Sequence, residues 1–160
     1  MLDSGSQDPP NEWGTTMASM ASRLWKTANT VAVWVYRRTG GKVGGTAKGC
    51  PVLLLTVPGR SSGRPHTVPV GYVMHDGSYY LAASAGGRPK EPQWIRNLRA
   101  ATGATIEVGR ERRSVAVEVL RGADRDTAWN EVVVARHPFF ADYETKAHRT
   151  IAVARLTPTT

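Results

Sequence analysis

Hydrophobic positions change their period along the chain. From Thr15 to Arg38 the residues Met17, Met20, Ala21, Leu24, Ala28, Val31, Ala32 and Val35 recur at spacings of three and four, which predicts one apolar face on an amphipathic helix over 15–38. Trp25, Trp34 and Tyr36 flank that face, with Arg23, Lys26, Arg37 and Arg38 around it. Either the face packs on the domain's own core, or it rests on an anionic membrane with its aromatics at headgroup depth. Residues 1–14 are polar and aperiodic and contain Pro and Gly, so a disordered leader is expected there. Gly40-Gly41 and Gly44-Gly45 end the helix.

After Cys50 the pattern becomes that of strands. Pro51–Val57 is a short continuous apolar run, His66–Met74 reads as its returning partner across the turn residues of Pro58–Arg64, and His75-Asp76-Gly77-Ser78 signals a hairpin into Tyr79–Ser84. Lys90–Ala100 reads as a helix, with Pro92 tolerated in its first turn. Ala104–Val108 and Ser114–Leu120 form a further hairpin, Ala123–Arg136 a helix, and Phe139–Arg149 a polar-aromatic segment before a last strand, Thr150–Leu156. About six strands joined mostly by tight turns predict antiparallel pairing, because parallel pairs need long crossovers. The sheet is long enough to close as a small barrel. The expected class is therefore α+β.

Composition narrows this picture only slightly. A chain of 160 residues, 41% hydrophobic and 21% charged, suits one globular domain. No apolar run approaches the roughly 20 residues of a membrane-spanning helix. The N-terminus lacks a signal-peptide pattern, so a cytoplasmic location is expected. The single cysteine, Cys50, leaves no internal disulfide framework and no Cys-rich zinc site, and no metal is expected.

Charge changes the picture more. The net charge of +8 is concentrated in residues 23–99, where twelve bases face only two acids, Asp76 and Glu91. A field of that sign attracts a polyanion. Nucleic acid is not the expected partner, since residues 51–87 offer only Tyr72, Tyr79 and Tyr80 for base stacking.

Three stretches carry candidate chemistry. Gly59-Arg60-Ser61-Ser62-Gly63-Arg64 combines turn glycines, hydroxyls and guanidiniums suited to phosphate or carboxylate. It lacks the Gly-Lys-Ser/Thr end of a P-loop. Ala82-Ala83-Ser84-Ala85-Gly86-Gly87 allows close backbone approach to a ring or phosphate at a strand end. Pro92-Gln93-Trp94, with Asn97 and Leu98, opens a helix whose N-terminus favours anions.

In this order, together with Val35-Tyr36-Arg37-Arg38 and Tyr143-x-x-Lys146-x-x-Arg149-x-Ile151, these stretches resemble the deazaflavin-dependent nitroreductase and quinone reductase family of actinobacteria. Those are split-barrel enzymes, of the type that also binds flavin mononucleotide, and they use the 8-hydroxy-5-deazaflavin coenzyme F420. The resemblance runs from about Val33 to Pro158 and makes 39–160 a split-barrel, coenzyme-binding domain. It implies that Arg60, Ser61, Ser62, Gly63 and Arg64 hold the coenzyme's phosphate and oligoglutamate tail. By the same resemblance Ala83, Ser84, Ala85, Gly86 and Gly87 line the deazaflavin and its linkage, and Gln93, Trp94 and Asn97 close the pocket. Ser61 and Ala85 stand where the family commonly has lysine. Hydride transfer to a quinone or a nitro compound is the implied reaction, with Ser84 bonding near the ring and Tyr143 or Tyr72 serving the developing oxyanion. The alternatives are a split barrel that binds flavin mononucleotide and a deazaflavin carrier without turnover.

Overall fold

A computed structural model describes residues 12–159. Helix α1 spans Glu12–Thr39, so residues 12–14, expected in the leader, are helical. The rest of the expected leader, 1–11, lies outside the described residues. Eight strands follow: β1 (Thr46–Ala47), β2 (Cys50–Pro58), β3 (Pro65–Gly71), β4 (Val73–His75), β5 (Ser78–Ala82), β6 (Gly103–Val108), β7 (Glu111–Val119) and β8 (Val153–Pro158). Helix α2 is Gln93–Ala100, α3 covers 122–136, and α4 is Phe139–Ala147.

All pairings are antiparallel, in the order β3-β2-β6-β7-β8-β5-β4. Only Tyr72 separates β3 from β4, so the two ends of this order are one bent strand and the sheet closes on itself. Counted that way the barrel has six strands, as the hairpin spacing predicted. The bend explains why 66–74 reads as a single strand in the sequence.

The continuous apolar run of β2 is explained by cover on both faces. Leu53, Leu55 and Val57 point into the barrel with Leu81, Ile106 and Leu156. Val52 and Leu54, on the other face, lie under Val33 and Tyr36 of α1. β5 is likewise buried throughout, because Trp129, Val132, Val133 and Phe140 of α3 and α4 cover its outer side with Tyr80 and Ala82. α3 contains a π turn at Ala128–Val133, a register change that turns Ala128, Trp129, Val132 and Val133 all inward. The segment 139–149 is mostly helix, since Phe139, Phe140, Tyr143 and Ala147 share one side at helical spacing.

α1 overturns the core-packing expectation. Its barrel side carries Asn29, Val33 and Tyr36, and only Val33 and Tyr36 are buried. The apolar stripe points the other way: Met20, Leu24 and Val31 are 58%, 69% and 54% exposed. Met17 lies outside the described side chains. The helix thus turns its more polar side to the protein.

Candidate functional site

The geometry of the site begins at the turn between β2 and β3. The Gly59 N–H donates to Arg64 O at 2.8 Å and the Gly63 N–H to Gly59 O at 2.9 Å, folding the chain tightly back. A Cβ on Gly59 would meet Ser62 Oγ at 2.8 Å and His66 Nε2 at 2.9 Å, so no larger residue fits without displacing both. Arg60 leaves this turn for α2. Its Nη1 donates to Asn97 Oδ1 at 2.9 Å, its backbone N–H to the same oxygen at 3.2 Å, and its Nη2 to Gln93 Oε1 at 2.8 Å. Two neutral amides therefore aim the guanidinium without cancelling its charge. Asn97 is buried, and Glu91 fixes the helix that carries it by a bidentate bond to Arg99, 2.8 and 2.6 Å. Those bonds hold the Glu91 carboxyl below its ordinary range.

Between this turn, α2 and α1 lies a groove of about 1210 Å³. Arg60, Ser61, Ser62, Gln93, Trp94 and Asn97 line one side, and α1 supplies the other. The lining holds five bases, Lys26, Arg37, Arg38, Arg60 and Arg110, and no acid. Gly63 and Arg64 belong to the same turn but do not line the groove.

The second feature is the loop after β5. Ser84 has right-handed helical backbone angles (φ −75°, ψ −30°), and Ala85, Gly86 and Gly87 all have positive φ, +47°, +64° and +84°. A right-handed residue followed by a left-handed one turns successive backbone N–H groups to one side, forming a concavity that receives anions. Ala85 holds this conformation at a steric cost that glycine would not incur. Arg149 ties the loop from behind: Nη2 donates to Ala83 O at 3.1 Å and Ser84 O at 3.3 Å, and Nε to Arg88 O at 3.2 Å. Its Nη1 is buried without a protein partner. Lys146 packs against Gly87, where a Cβ would meet its Cδ at 3.0 Å.

Trp25 connects the two features. It lines the groove, and the Arg88 guanidinium lies over its ring at 4.9 Å. Neither candidate tyrosine lines the groove. Tyr72 packs against the barrel core, edge-on to Tyr79 at 5.3 Å, and burial pushes its phenol up, so it stays protonated at neutral pH. Tyr143, on α4, receives a hydrogen bond from Lys48 Nζ and stands edge-on to Phe139 and Phe140.

Sequence reasoning placed the turn, the loop and the start of α2 in the site but missed the α1 wall. The clue was the polar side of that helix, Lys26, Asn29, Thr30 and Arg37, which recurs at spacings of three and four like the apolar stripe. Arg149 falls within the Tyr143-x-x-Lys146-x-x-Arg149-x-Ile151 motif, whose spacing gives no sign that the side chain reaches the loop after β5.

The model of the family described as F420H(2)-dependent quinone reductase matches residues 28–158. The chain belongs to that family. A curated Mycobacterium tuberculosis protein, F420H(2)-dependent quinone reductase Rv1261c, is 32% identical over 126 residues, 77% of this chain and 85% of its own. A solved F420-H2 dependent reductase, FDR-A, is 33% identical with a TM-score of 0.59, covering 66% of this chain and 93% of that one. A solved domain-swapped dimer is 32% identical, also with a TM-score of 0.59, over 77% and 96% of the two chains. The chain is therefore an oxidoreductase that uses coenzyme F420, and its barrel is the split barrel expected from the sequence. The residues present are of a kind that fits that coenzyme, whose phosphodiester and carboxylates are anionic: the groove lining has five bases, only Arg37 of them paired among the described residues, and the loop has an anion-receiving backbone turn at Ser84–Gly86.

Proposed function

We propose that this reductase passes a hydride from reduced coenzyme F420 to a quinone, with the groove and the loop 83–87 as one extended coenzyme site. The observation that carries the reading is the five-base lining of the groove, in which only Arg37 is paired, with Glu107, among the described residues. When bound, the deazaflavin supplies the hydride; the protein supplies placement and charge. Arg60, aimed by Gln93 and Asn97, is the fixed anion ligand, with the Ser61 and Ser62 hydroxyls beside it and Gly63 and Arg64 completing the turn. In the loop 83–87 the N–H groups of Ser84, Ala85 and Gly86 serve the linkage, Ala83 and Gly87 hold the loop's shape through their own N–H bonds to Ala152 O and Ser84 O at 2.9 Å, and the Ser84 hydroxyl bonds near the ring. Trp94 walls the pocket from α2. The quinone gains the hydride and one proton to become a quinol, and Tyr72 or Tyr143 donates to the oxygen on which charge develops.

Phe139, half-buried and stacked at 4.5 Å on the buried Phe140 beside Tyr143, leaves an apolar ring partly open. That surface suits a lipophilic quinone better than a polar nitroheterocycle, so nitro compounds are the poorer acceptor class. The outward stripe of α1 fits the same substrate, because Met20, Leu24 and Val31, with Arg23 near them, form a helix face suited to an anionic membrane.

The experiment is anaerobic mixing of the protein with reduced coenzyme F420 and menadione, followed by deazaflavin absorbance. Acceptor-dependent reoxidation, slowed in Ser84→Ala with coenzyme affinity retained, is the expected outcome. Coenzyme binding without reoxidation by quinone or nitro acceptors would make the chain a carrier instead.

A further inference from the structure

An amphipathic helix on a globular domain ordinarily turns its apolar side inward. α1 does the reverse, and the polar side it turns inward does not rest on protein along most of its length. Below it lies the groove. Asn29 Nδ2 reaches across to Thr67 O at 2.9 Å, and Arg37 is bound bidentately by Glu107 at 3.0 and 2.8 Å. Between these two anchors and beyond them, Lys26 and Trp34 line the groove wall. At 100° per residue Lys26 shares its side of the helix with Asn29, Val33 and Arg37. Lys26 forms no ion pair among the described residues.

A second cation arrives from the opposite end. Arg110, in the β6–β7 turn, lies across Gly40, where a Cβ would meet its Nε at 2.8 Å and its Cγ at 2.9 Å. Glycine at the end of α1 lets this side chain pass along the helix into the groove lining. Arg110 likewise forms no ion pair among the described residues. Lys26 and Gly40, where Arg110 lies, are about 21 Å apart along α1 at 1.5 Å per residue, so the two cations without counter-ions stand towards opposite ends of one groove and suit separate carboxylates of an extended polyanion.

We infer that α1 is half of the coenzyme site: Lys26 on the helix and Arg110 on the β6–β7 turn bind the carboxylates of the coenzyme's anionic tail, opposite Arg60. This rests on the proposed coenzyme site and adds residues that set its preference for a charged tail. It also explains why the polar side of the helix faces the protein.

The test is a fluorescence titration of the full chain with oxidised coenzyme F420. A second titration uses the same 8-hydroxy-5-deazaflavin bearing only its ribityl chain, without phosphate or glutamates. Lys26→Glu and Arg110→Ala are each expected to weaken coenzyme binding by about tenfold or more, as for loss of one charge-assisted contact, and to leave binding of the tail-less ring unchanged. Lys42→Ala, an exposed base outside the groove, is the matched control. Both variants change exposed side chains, and an unchanged circular dichroism melt confirms that they fold. If wild type binds the coenzyme and both variants bind it equally well, α1 is no part of the site and the inference falls. A uniform loss for tailed and tail-less ligands would also overturn it, since the residues would then act on the ring. A wild-type chain that binds neither ligand removes the coenzyme-site reading itself.

Discussion

Arg149 has the most concentrated role of any single residue near the site. One planar guanidinium satisfies three carbonyls of a loop whose backbone runs through three consecutive positive φ angles. Without that donor the carbonyls must find water, and the loop loses the brace that holds its N–H groups to one side. Arg149→Ala is expected to weaken coenzyme binding by roughly tenfold or more, the scale of charged hydrogen bonds. Arg149→Lys is expected to recover little, because a point-charge ammonium does not match a fork spread over three oxygens. Titration of both variants, with melting curves alongside, checks this; full recovery by lysine would show that charge alone matters. At this scale the sequence was half legible. Ser84, Gly86 and Gly87 announce a loop by their type, whereas an arginine 61 residues beyond Arg88 shows its partner only once β5 and β8 pair.

The elements that frame the groove combine apolar seating with a few polar ties, and α2 shows this most clearly. Ile95 and Leu98 seat it in the barrel core, while its start has no side-chain cap and Glu91, just before it, grips Arg99 in its last turn. Arg96 adds a longer contact at 3.8 Å. Folding lowers the affinity of the Glu91 carboxyl for a proton, so its contribution is full above the ordinary carboxylate range and fades as pH falls through the depressed value. The pair is partly exposed, so about 1 kcal/mol or less is at stake. Glu91→Gln should therefore melt slightly lower than wild type near pH 6, with the two curves converging towards pH ~3. A gap that persists in acid would mean that packing, not charge, holds the helix. Periodicity revealed α2 from its sequence, because Trp94, Ile95 and Leu98 carry the helical spacing. It did not reveal α4, whose adjacent Phe139 and Phe140 blur the period, nor the π turn of α3, which breaks it. The bend at Tyr72 was invisible for a related reason: both halves of the strand are apolar, and only closure of the barrel requires the break.

Taken whole, the molecule divides its surface chemistry between two sides of one helix. The inner side faces the basic groove; the outer side exposes Met20, Leu24 and Val31. No described helix is long and apolar enough to cross a membrane, and the outer stripe of α1 has the pattern of a helix that lies on one. The protein is expected to co-sediment with vesicles rich in anionic phospholipid and not with neutral ones. Leu24→Glu combined with Val31→Glu should abolish this while leaving coenzyme affinity intact; retained binding would make the basic surface alone responsible. The sequence displayed both sides of α1 but not their orientation, because an apolar stripe looks the same whether it seeks a core or a bilayer.

The attachment of α1 has a mechanical consequence. Its apolar grip, Val33 and Tyr36 over Val52 and Leu54, lies near its C-terminal end, where the Tyr36 hydroxyl bonds Val52 O at 3.0 Å and receives the Gly109 N–H at 2.9 Å. From Tyr36 back to Trp25 the helix runs about 16 Å at 1.5 Å per residue, so a tilt of roughly 10° at this fulcrum swings Trp25 by about 3 Å. Two light ties, Asn29 to Thr67 O at 2.9 Å and Arg88 over the Trp25 ring at 4.9 Å, therefore set the width of the groove far from the fulcrum, where they have the greatest leverage.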